Sequence, residues 1–141
     1  MTVSDAAVAA ALSGELGYPV THEGMEERLR RFATLPDHAV LAACLGTQVV
    51  GWVDVGVVQH LQSDVHGEIG GLVISEAWRG RGIGQKLVQA AEAWVAERGI
   101  GTVVVRSRSS RERAHAFYLG LGYLQVKTSV VFRKVLGNSG E

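Results

Sequence analysis

The chain has 141 residues, of which 47% are hydrophobic and 20% are charged, as in an ordinary globular protein. Fourteen basic and fourteen acidic side chains cancel, so no net field attracts nucleic acid or an anionic membrane surface. The one cysteine, Cys44, excludes an internal disulfide and argues against a thiolate metal site. We expect it to be a buried, inert thiol in the run HAVLAACL. The prediction is one domain over residues 1–141, with a polar tail at 137–141 and no metal.

The N-terminal stretch does not have the pattern of a secretory signal. It is rich in alanine but has no basic residue ahead of its apolar part, and it contains Asp5. No apolar run approaches the roughly 18 residues that a membrane-spanning helix requires. We therefore expect a cytoplasmic protein.

The first half of the chain changes from helical to strand periodicity. The sequence predicts helices over 4–16 and 23–35, the second from apolar residues at helical spacing (Met25, Leu29 and Phe32), with a break near Pro19. The runs HAVLAACL and QVVGWVDVGVV are typical of strands, and Gly46 with Thr47 between them indicates a hairpin turn.

The second half alternates strands and helices. The strand GEIGGLVIS precedes a helix over 84–98, and the strand TVVVRS follows it. Ser109 is placed to begin a further helix through Leu121, and GYLQVKTSVVFRKVL predicts one long or two short final strands. A strand, a helix and a strand in succession require a parallel pair, whereas the hairpin is antiparallel. We predict an α/β (α+β) fold: a mixed, mostly antiparallel sheet with a central parallel strand pair, flanked by helices.

The joint between the third strand and its helix is unusually rich in glycine and arginine. Its residues are Arg79, Gly80, Arg81, Gly82, Ile83, Gly84 and Gln85. A helix N-terminus offers unpaired N–H groups and a partial positive charge, and glycines let a phosphate approach the backbone. The two arginines add charge-assisted donors, which favours a pyrophosphate over a carboxylate. Neither a Walker loop nor a dinucleotide fingerprint matches this spacing, and a purely structural turn is the alternative.

The pattern Arg79-x-x-Gly82-x-Gly84 resembles the Arg/Gln-x-x-Gly-x-Gly/Ala signature of the GNAT superfamily of N-acetyltransferases. The segment RAHAFYLGLGY is similar to the family's A-x-x-F/L-Y-x-x-x-G-F/Y segment, and GEIGGLVIS stands where the family has its central strand. Two features depart from the family. Its usual first strand is missing here, very short, or supplied by a partner. Arg111 stands where an asparagine is common, which puts one contact to the pantetheine arm in doubt.

The resemblance implies an enzyme that uses acetyl-CoA, with coenzyme A as product and no metal. The implied cofactor-binding residues are Leu72, Val73, Ile74, the seven residues of the glycine-rich turn, and Arg111. Tyr118 matches the family tyrosine and is our candidate general acid for the leaving thiolate; an amphipathic packing tyrosine is the alternative. The backbone N–H of Leu72 is the candidate oxyanion donor.

Glu68 is our candidate general base, because it stands on the strand where some family members carry a catalytic glutamate. An ordered water in that role, or a solvated edge glutamate, is the alternative. Two-residue alternation predicts that Glu68, Gly70, Leu72 and Ile74 share one face of the sheet. Gly70 and Gly71 indicate either close approach of a ligand or a bulge.

Further candidates depend on position alone. The sequence contains a basic cluster, which consists of Arg106, Arg108, Arg111 and Arg113. Either one of these side chains reaches the cofactor's 3′-phosphate, or the cluster is solvated. Candidates for the acceptor wall are Trp52, Asp54, Glu23, Glu26 and Glu27.

Our most specific hypothesis from the sequence is that the chain is an N-acetyltransferase that acts on a primary amine of a small molecule. The acceptor is of aminoglycoside, polyamine or amino-acid type. A protein or peptide N-acetyltransferase and a catalytically silent acyl-CoA-binding module are the alternatives. We expect a homodimer, because exposed sheet edges require cover.

Overall fold

Among the described residues the sheet has four strands, and the first three helices pack against it. In this computed structural model, residues 1–107 and 112–137 are described. In chain order the elements are α1 (Ala6–Leu16), α2 (His22–Phe32), β1 (His38–Leu45), β2 (Gln48–Val58), β3 (His66–Ile74), α3 (Ile83–Ala96), β4 (Val103–Val105) and α4 (Glu112–Gly120). The chain divides into two units, Met1–Arg106 and Ser107–Glu141, and each is described by itself.

The strand order is β1-β2-β3-β4, and the pairing confirms the predicted mixed sheet. Strands β1 and β2 form the antiparallel hairpin, with Gly46 in its turn at φ +62. Strand β3 pairs antiparallel with β2 and parallel with β4. The parallel pairing is short, since it runs only from Gly67 opposite Val103 to Ile69 opposite Val105.

A β-bulge at Gly70 interrupts the pairing of β3 with β2. Asp54 lies opposite Gly71, but the next residue, Val55, lies opposite Ile69, so Gly70 has no partner on β2. A bulge inserts one extra residue and reverses the alternation of faces. Glu68 therefore lies on the face of Asp54, whereas Leu72 lies on the opposite face. The prediction that Glu68 and Leu72 share a face is wrong for this reason.

Helices cover both faces of the sheet. On one face, α1 and α2 enclose a core of Ala6, Ala9, Leu12, Met25, Leu29, Trp52 and Val73. The Trp52 indole N–H donates to the Ala9 carbonyl at 3.3 Å, which fastens α1 to the sheet. On the other face α3 packs on β1, β2 and β3, and its buried side chains are Leu87, Val88, Ala91 and Val95.

Two predictions from the sequence are wrong. Cys44 is exposed rather than buried, because it lies near the hairpin tip on β1, which is an edge strand. Residues 123–137 form no strand, although their apolar side chains predicted one or two. A strand requires a neighbouring strand for its backbone hydrogen bonds, and no strand of the described residues pairs with this segment. Ser109 lies outside the described residues, and α4 begins at Glu112.

Within the part of the chain that is described, no helix has the length and apolar character needed to cross a membrane.

Candidate active site

The glycine-rich turn presents a bare helix N-terminus. Gly80 and Gly82 have φ +78 and +79, and a Cβ built on either would meet nothing within 4 Å. Gly82 is the N-cap of α3, and the first helical bond runs from the Lys86 N–H to the Gly82 carbonyl at 3.2 Å. The N–H groups at the start of α3 therefore have no partner within the helix. This open, positively polarised turn fits a pyrophosphate.

The two arginines of the turn are held in place by protein groups. Arg79 donates from Nε to the Ile74 carbonyl at 3.2 Å, and one of its terminal nitrogens lies 4.0 Å from a Glu15 carboxylate oxygen. The Arg81 guanidinium stacks over the Trp78 ring at 4.7 Å. Both side chains are solvent-exposed at the turn, so a multiply charged anion there would meet oriented cations.

The end of β3 has one edge that no described strand pairs with. Beyond Ile69, β3 no longer pairs with β4. The Ser75 N–H donates to the Val50 carbonyl at 2.7 Å, so these two residues form a hydrogen-bonded pair at the end of the β2–β3 ladder. Hydrogen-bonded and non-bonded pairs alternate along an antiparallel ladder, so Trp52 and Val73 form the next hydrogen-bonded pair. Leu72 is then in a non-bonded pair, and its N–H and carbonyl point away from β2. A ligand rich in amides can add to such an edge as a strand would.

Glu68 lies on β3, on the face that α1 and α2 partly cover. Its carboxylate is 3.3 Å from Arg106 Nε and 3.8 Å from His66 Nε2, and its side chain is 25% exposed. Arg106, a member of the predicted basic cluster, is therefore the ion-pair partner of the predicted base. His66 is buried, and its ring is oriented by a 3.1 Å contact from Nδ1 to the Asp64 carbonyl.

Asp54 is the site residue that sequence reasoning undervalued. Burial raises the pKa of its carboxyl from 3.8 to about 6, and the Glu68 charge acts in the same direction. Hydrogen bonds from the N–H groups of Gly70 and Gly71 and the charge of His38 oppose that rise. A Cβ at Gly70 would collide with the Asp54 carboxylate, and one at Gly71 would lie 3.2 Å from it. The available signals were the alternation from Trp52 and the Gly-Gly pair on the next strand.

Tyr118 belongs to the second unit, on α4. Its ring is half-buried between Phe117 and Tyr123, with ring centroids 5.1 and 5.7 Å away in edge-to-face arrangement. The Leu121 and Tyr123 N–H groups both donate to its carbonyl, which closes the end of the helix around it. Arg113 is exposed on the same helix.

The other predicted residues are distributed as follows. Arg108 and Arg111 lie outside the described residues. Glu26 and Glu27 form ion pairs with Arg30 and Arg31 along α2, and Glu23 is exposed in its first turn. A cavity lies between α2 and the sheet, and none of the three glutamates lines it. Among residues 1–107 and 112–137, no three His, Cys, Asp or Glu side chains form a group that could hold a metal ion.

Comparison with known proteins gives a consistent set of similarities. The model of a family described as the acetyltransferase (GNAT) family matches residues 6–123. An aminoglycoside N(6')-acetyltransferase type 1 from Stenotrophomonas maltophilia is 28% identical over 139 residues, which cover 96% of this chain and 90% of that protein.

Solved structures show the same fold. The aminoglycoside N-acetyltransferase AAC(6')-Iy, in complex with CoA, superposes with a TM-score of 0.84 at 15% identity, covering 95% of this chain and 91% of its own. The aminoglycoside 6'-N-acetyltransferase AAC(6')-Ih from Acinetobacter baumannii superposes with a TM-score of 0.82 at 21% identity, covering 97% and 96%.

Proposed function

Because the chain belongs to the acetyltransferase (GNAT) family and is an N-acetyltransferase, we propose that it transfers the acetyl group of acetyl-CoA to a primary amine of a small molecule. The observation that carries this proposal is the open glycine-rich turn, with Gly80 and Gly82 at positive φ ahead of α3. An acceptor of aminoglycoside type is supported by the name of the relative from Stenotrophomonas maltophilia. Polyamines and amino acids are further acceptors of the same kind.

Cofactor binding is assigned to three parts of the chain. The turn from Arg79 to Gln85 holds the pyrophosphate through α3 N–H groups and the two guanidinium groups. The backbone of Leu72, Val73 and Ile74 holds the amide-rich arm, because the edge of β3 beyond Ile69 is open there. Arg111 is assigned on the sequence resemblance alone.

Two side chains and one backbone group are assigned to the reaction by direct attack. Glu68, or a water that it orients, takes a proton from the attacking nitrogen. The Leu72 N–H donates to the oxyanion, since it points away from β2. Tyr118 supplies a proton to the departing thiolate, as a phenol with an ordinary pKa near 10 can do for a thiol near 8.5. Positioning of the amine and thioester contributes the rest of the acceleration.

The test is acetyl-CoA-dependent thiol release over aminoglycosides, polyamines, amino acids and peptides. It is run in a Cys44→Ser background, because the exposed Cys44 thiol would itself react with the detection reagent. We expect turnover on one small-molecule class, and a fall of about tenfold or more in Tyr118→Phe. Turnover on peptides alone would refute the small-molecule assignment. An unchanged rate in Tyr118→Phe would refute the role of Tyr118.

We also propose that the chain is a homodimer. In support, the second unit exposes a series of large apolar side chains that are each at least 75% accessible, namely Leu124, Val126, Val130, Val131, Phe132, Val135 and Leu136. Exposed apolar surface of this kind is typical of interfaces. A solution mass equal to one chain at micromolar concentration, measured by light scattering, would contradict the proposal.

A further inference from the structure

A cavity of about 210 Å³ lies between the sheet and the two helices that cover one of its faces. It is lined by the N-terminal Met1 and by residues of α1, α2, β1 and β2, among them Arg28, Val40, Trp52 and Asp54. Native cores leave few voids larger than a water molecule. An apolar cavity of about 150 Å³ already accommodates a benzene ring. This cavity is therefore large enough for an aromatic ring or a short alkyl chain.

The wall of the cavity is apolar except at a few groups, of which Asp54 is the only carboxylate. Asp54 lies opposite Val40 on one side and Gly71 on the other, so it is one residue removed from Leu72 across the ladder. The bulge at Gly70 makes room for the carboxylate, because any side chain at Gly70 would collide with it. The fold thus brings a carboxylate close to the open edge of β3.

The charges that face Asp54 leave it available to a cation. None of the ion pairs among residues 1–107 and 112–137 includes Asp54. Glu68, by contrast, is paired with Arg106. The charged and titratable groups around it are the Met1 terminal ammonium, which donates to the Val40 carbonyl at 3.0 Å, His38 of β1, Glu68 and His66 of β3, and Arg28 of α2. Arg28 is exposed.

We propose that this cavity binds the apolar arm of the acceptor and that Asp54 binds the acceptor's ammonium group and takes its first proton. The inference rests on the proposed function and, among the acceptors named there, favours primary amines carried on an aryl or alkyl arm over acceptors of aminoglycoside type. A partly buried carboxylate that forms no ion pair gains from an ammonium ion, because desolvation makes an unpaired charge costly. A polyhydroxylated, polycationic sugar offers no matching apolar arm.

The proton and bond changes are as follows. The substrate ammonium transfers one proton to the Asp54 carboxylate. The neutral nitrogen then bonds to the thioester carbonyl carbon, and the carbon–sulfur bond breaks with its electron pair leaving on sulfur. The nitrogen loses a second proton to Glu68 or water, and the thiolate gains one from Tyr118, which is restored through solvent. Asp54 releases its proton to solvent, so each turnover releases one proton.

The test compares an amine with a neutral molecule that has the same arm. The probes 2-phenylethylamine, 2-phenylethanol and kanamycin are titrated calorimetrically into the whole chain, alone and with saturating coenzyme A. The variants are Asp54→Asn, the cavity-filling Val40→Phe, and Asp37→Asn as a matched control at an exposed carboxylate. Thermal unfolding verifies that each variant is folded.

We expect 2-phenylethylamine to bind wild type at least tenfold more tightly than 2-phenylethanol. Asp54→Asn should remove that preference, Val40→Phe should weaken both ligands, and Asp37→Asn should change neither. Failure of the amine to bind wild type, equal amine affinity in wild type and Asp54→Asn, or tight kanamycin binding that ignores both substitutions would each overturn the proposal.

Turnover separates this inference from the proposed function. For 2-phenylethylamine we expect kcat/KM to rise through about pH 6, the pKa of the Asp54 carboxyl. That rise should be lost in Asp54→Asn and kept in His38→Gln, the control for the neighbouring imidazole. A rise lost in His38→Gln instead would overturn the assignment to Asp54. Binding that depends on Asp54 without any acetyl transfer would refute the proposed function and leave the cavity assignment in place.

Discussion

Replacing Asp54 by asparagine should stabilise the protein at neutral pH. Burial in the cavity wall raises the pKa of Asp54 from 3.8 to about 6, despite the opposing Gly70 and Gly71 N–H groups and His38, and Glu68 adds to the rise. A rise of this size corresponds to about 3 kcal/mol, which the folded state loses when Asp54 must be ionised. The asparagine side chain has nearly the same shape, keeps one carbonyl oxygen for the glycine N–H groups, and does not ionise.

The sign of the pH dependence follows from where the proton is bound. Between pH 3.8 and about 6 the folded state holds the Asp54 proton more tightly than the unfolded state does. The contribution of Asp54 to the free energy of unfolding of the wild type is therefore present at low pH and is lost as pH rises through about 6. Asp54→Asn lacks this loss, so its advantage over wild type should grow by about 2.5 kcal/mol between pH 4 and pH 8. In a chain of this size that corresponds to about 5–10 °C in Tm.

The assay is urea unfolding of wild type and Asp54→Asn at a series of pH values, with Asp37→Asn as the control. Other titrating groups are common to both proteins and cancel in the difference. The Asp37→Asn difference should be flat, because that carboxylate is exposed. A difference between Asp54→Asn and wild type that does not change with pH would show that Asp54 is solvated and would refute this reasoning. Loss of activity in the stabilised variant would indicate that stability is given up for a functional carboxylate.

Two further predictions concern the bulge and the glycine-rich turn. Gly70→Ala should lower the free energy of unfolding by about 1–3 kcal/mol, because its Cβ collides with the Asp54 carboxylate. The loss should shrink when Asp54 is also alanine, and equal losses in both backgrounds in urea titrations would disprove this cause. Arg79→Ala should raise KM for acetyl-CoA about tenfold with a smaller change in kcat, since a charge-assisted bond contributes about 1.5–3 kcal/mol. The control is Arg98→Ala, whose guanidinium stacks on Trp94 at 3.6 Å; equal steady-state KM values for the two variants would count against the assignment.

The sequence alone determined the elements whose signals are local. The helices α2 and α3 follow from apolar side chains at helical spacing, α1 from its run of alanines, and the hairpin from Gly46. The glycine-rich turn was also readable, because Gly80 and Gly82 are the residues that tolerate positive φ there. These features depend on neighbours within a few residues, so the residue order specifies them.

Only the tertiary structure decided which side chains share the site. The bulge at Gly70 reverses the faces of β3, so Glu68 lies beside Asp54 and away from Leu72. The cavity exists only because α1 and α2 span the face that carries Trp52. Burial and cross-strand register depend on residues distant along the chain. A desolvated carboxylate such as Asp54 is likewise a property of the packed fold, because its pKa is raised only when other elements exclude water from it.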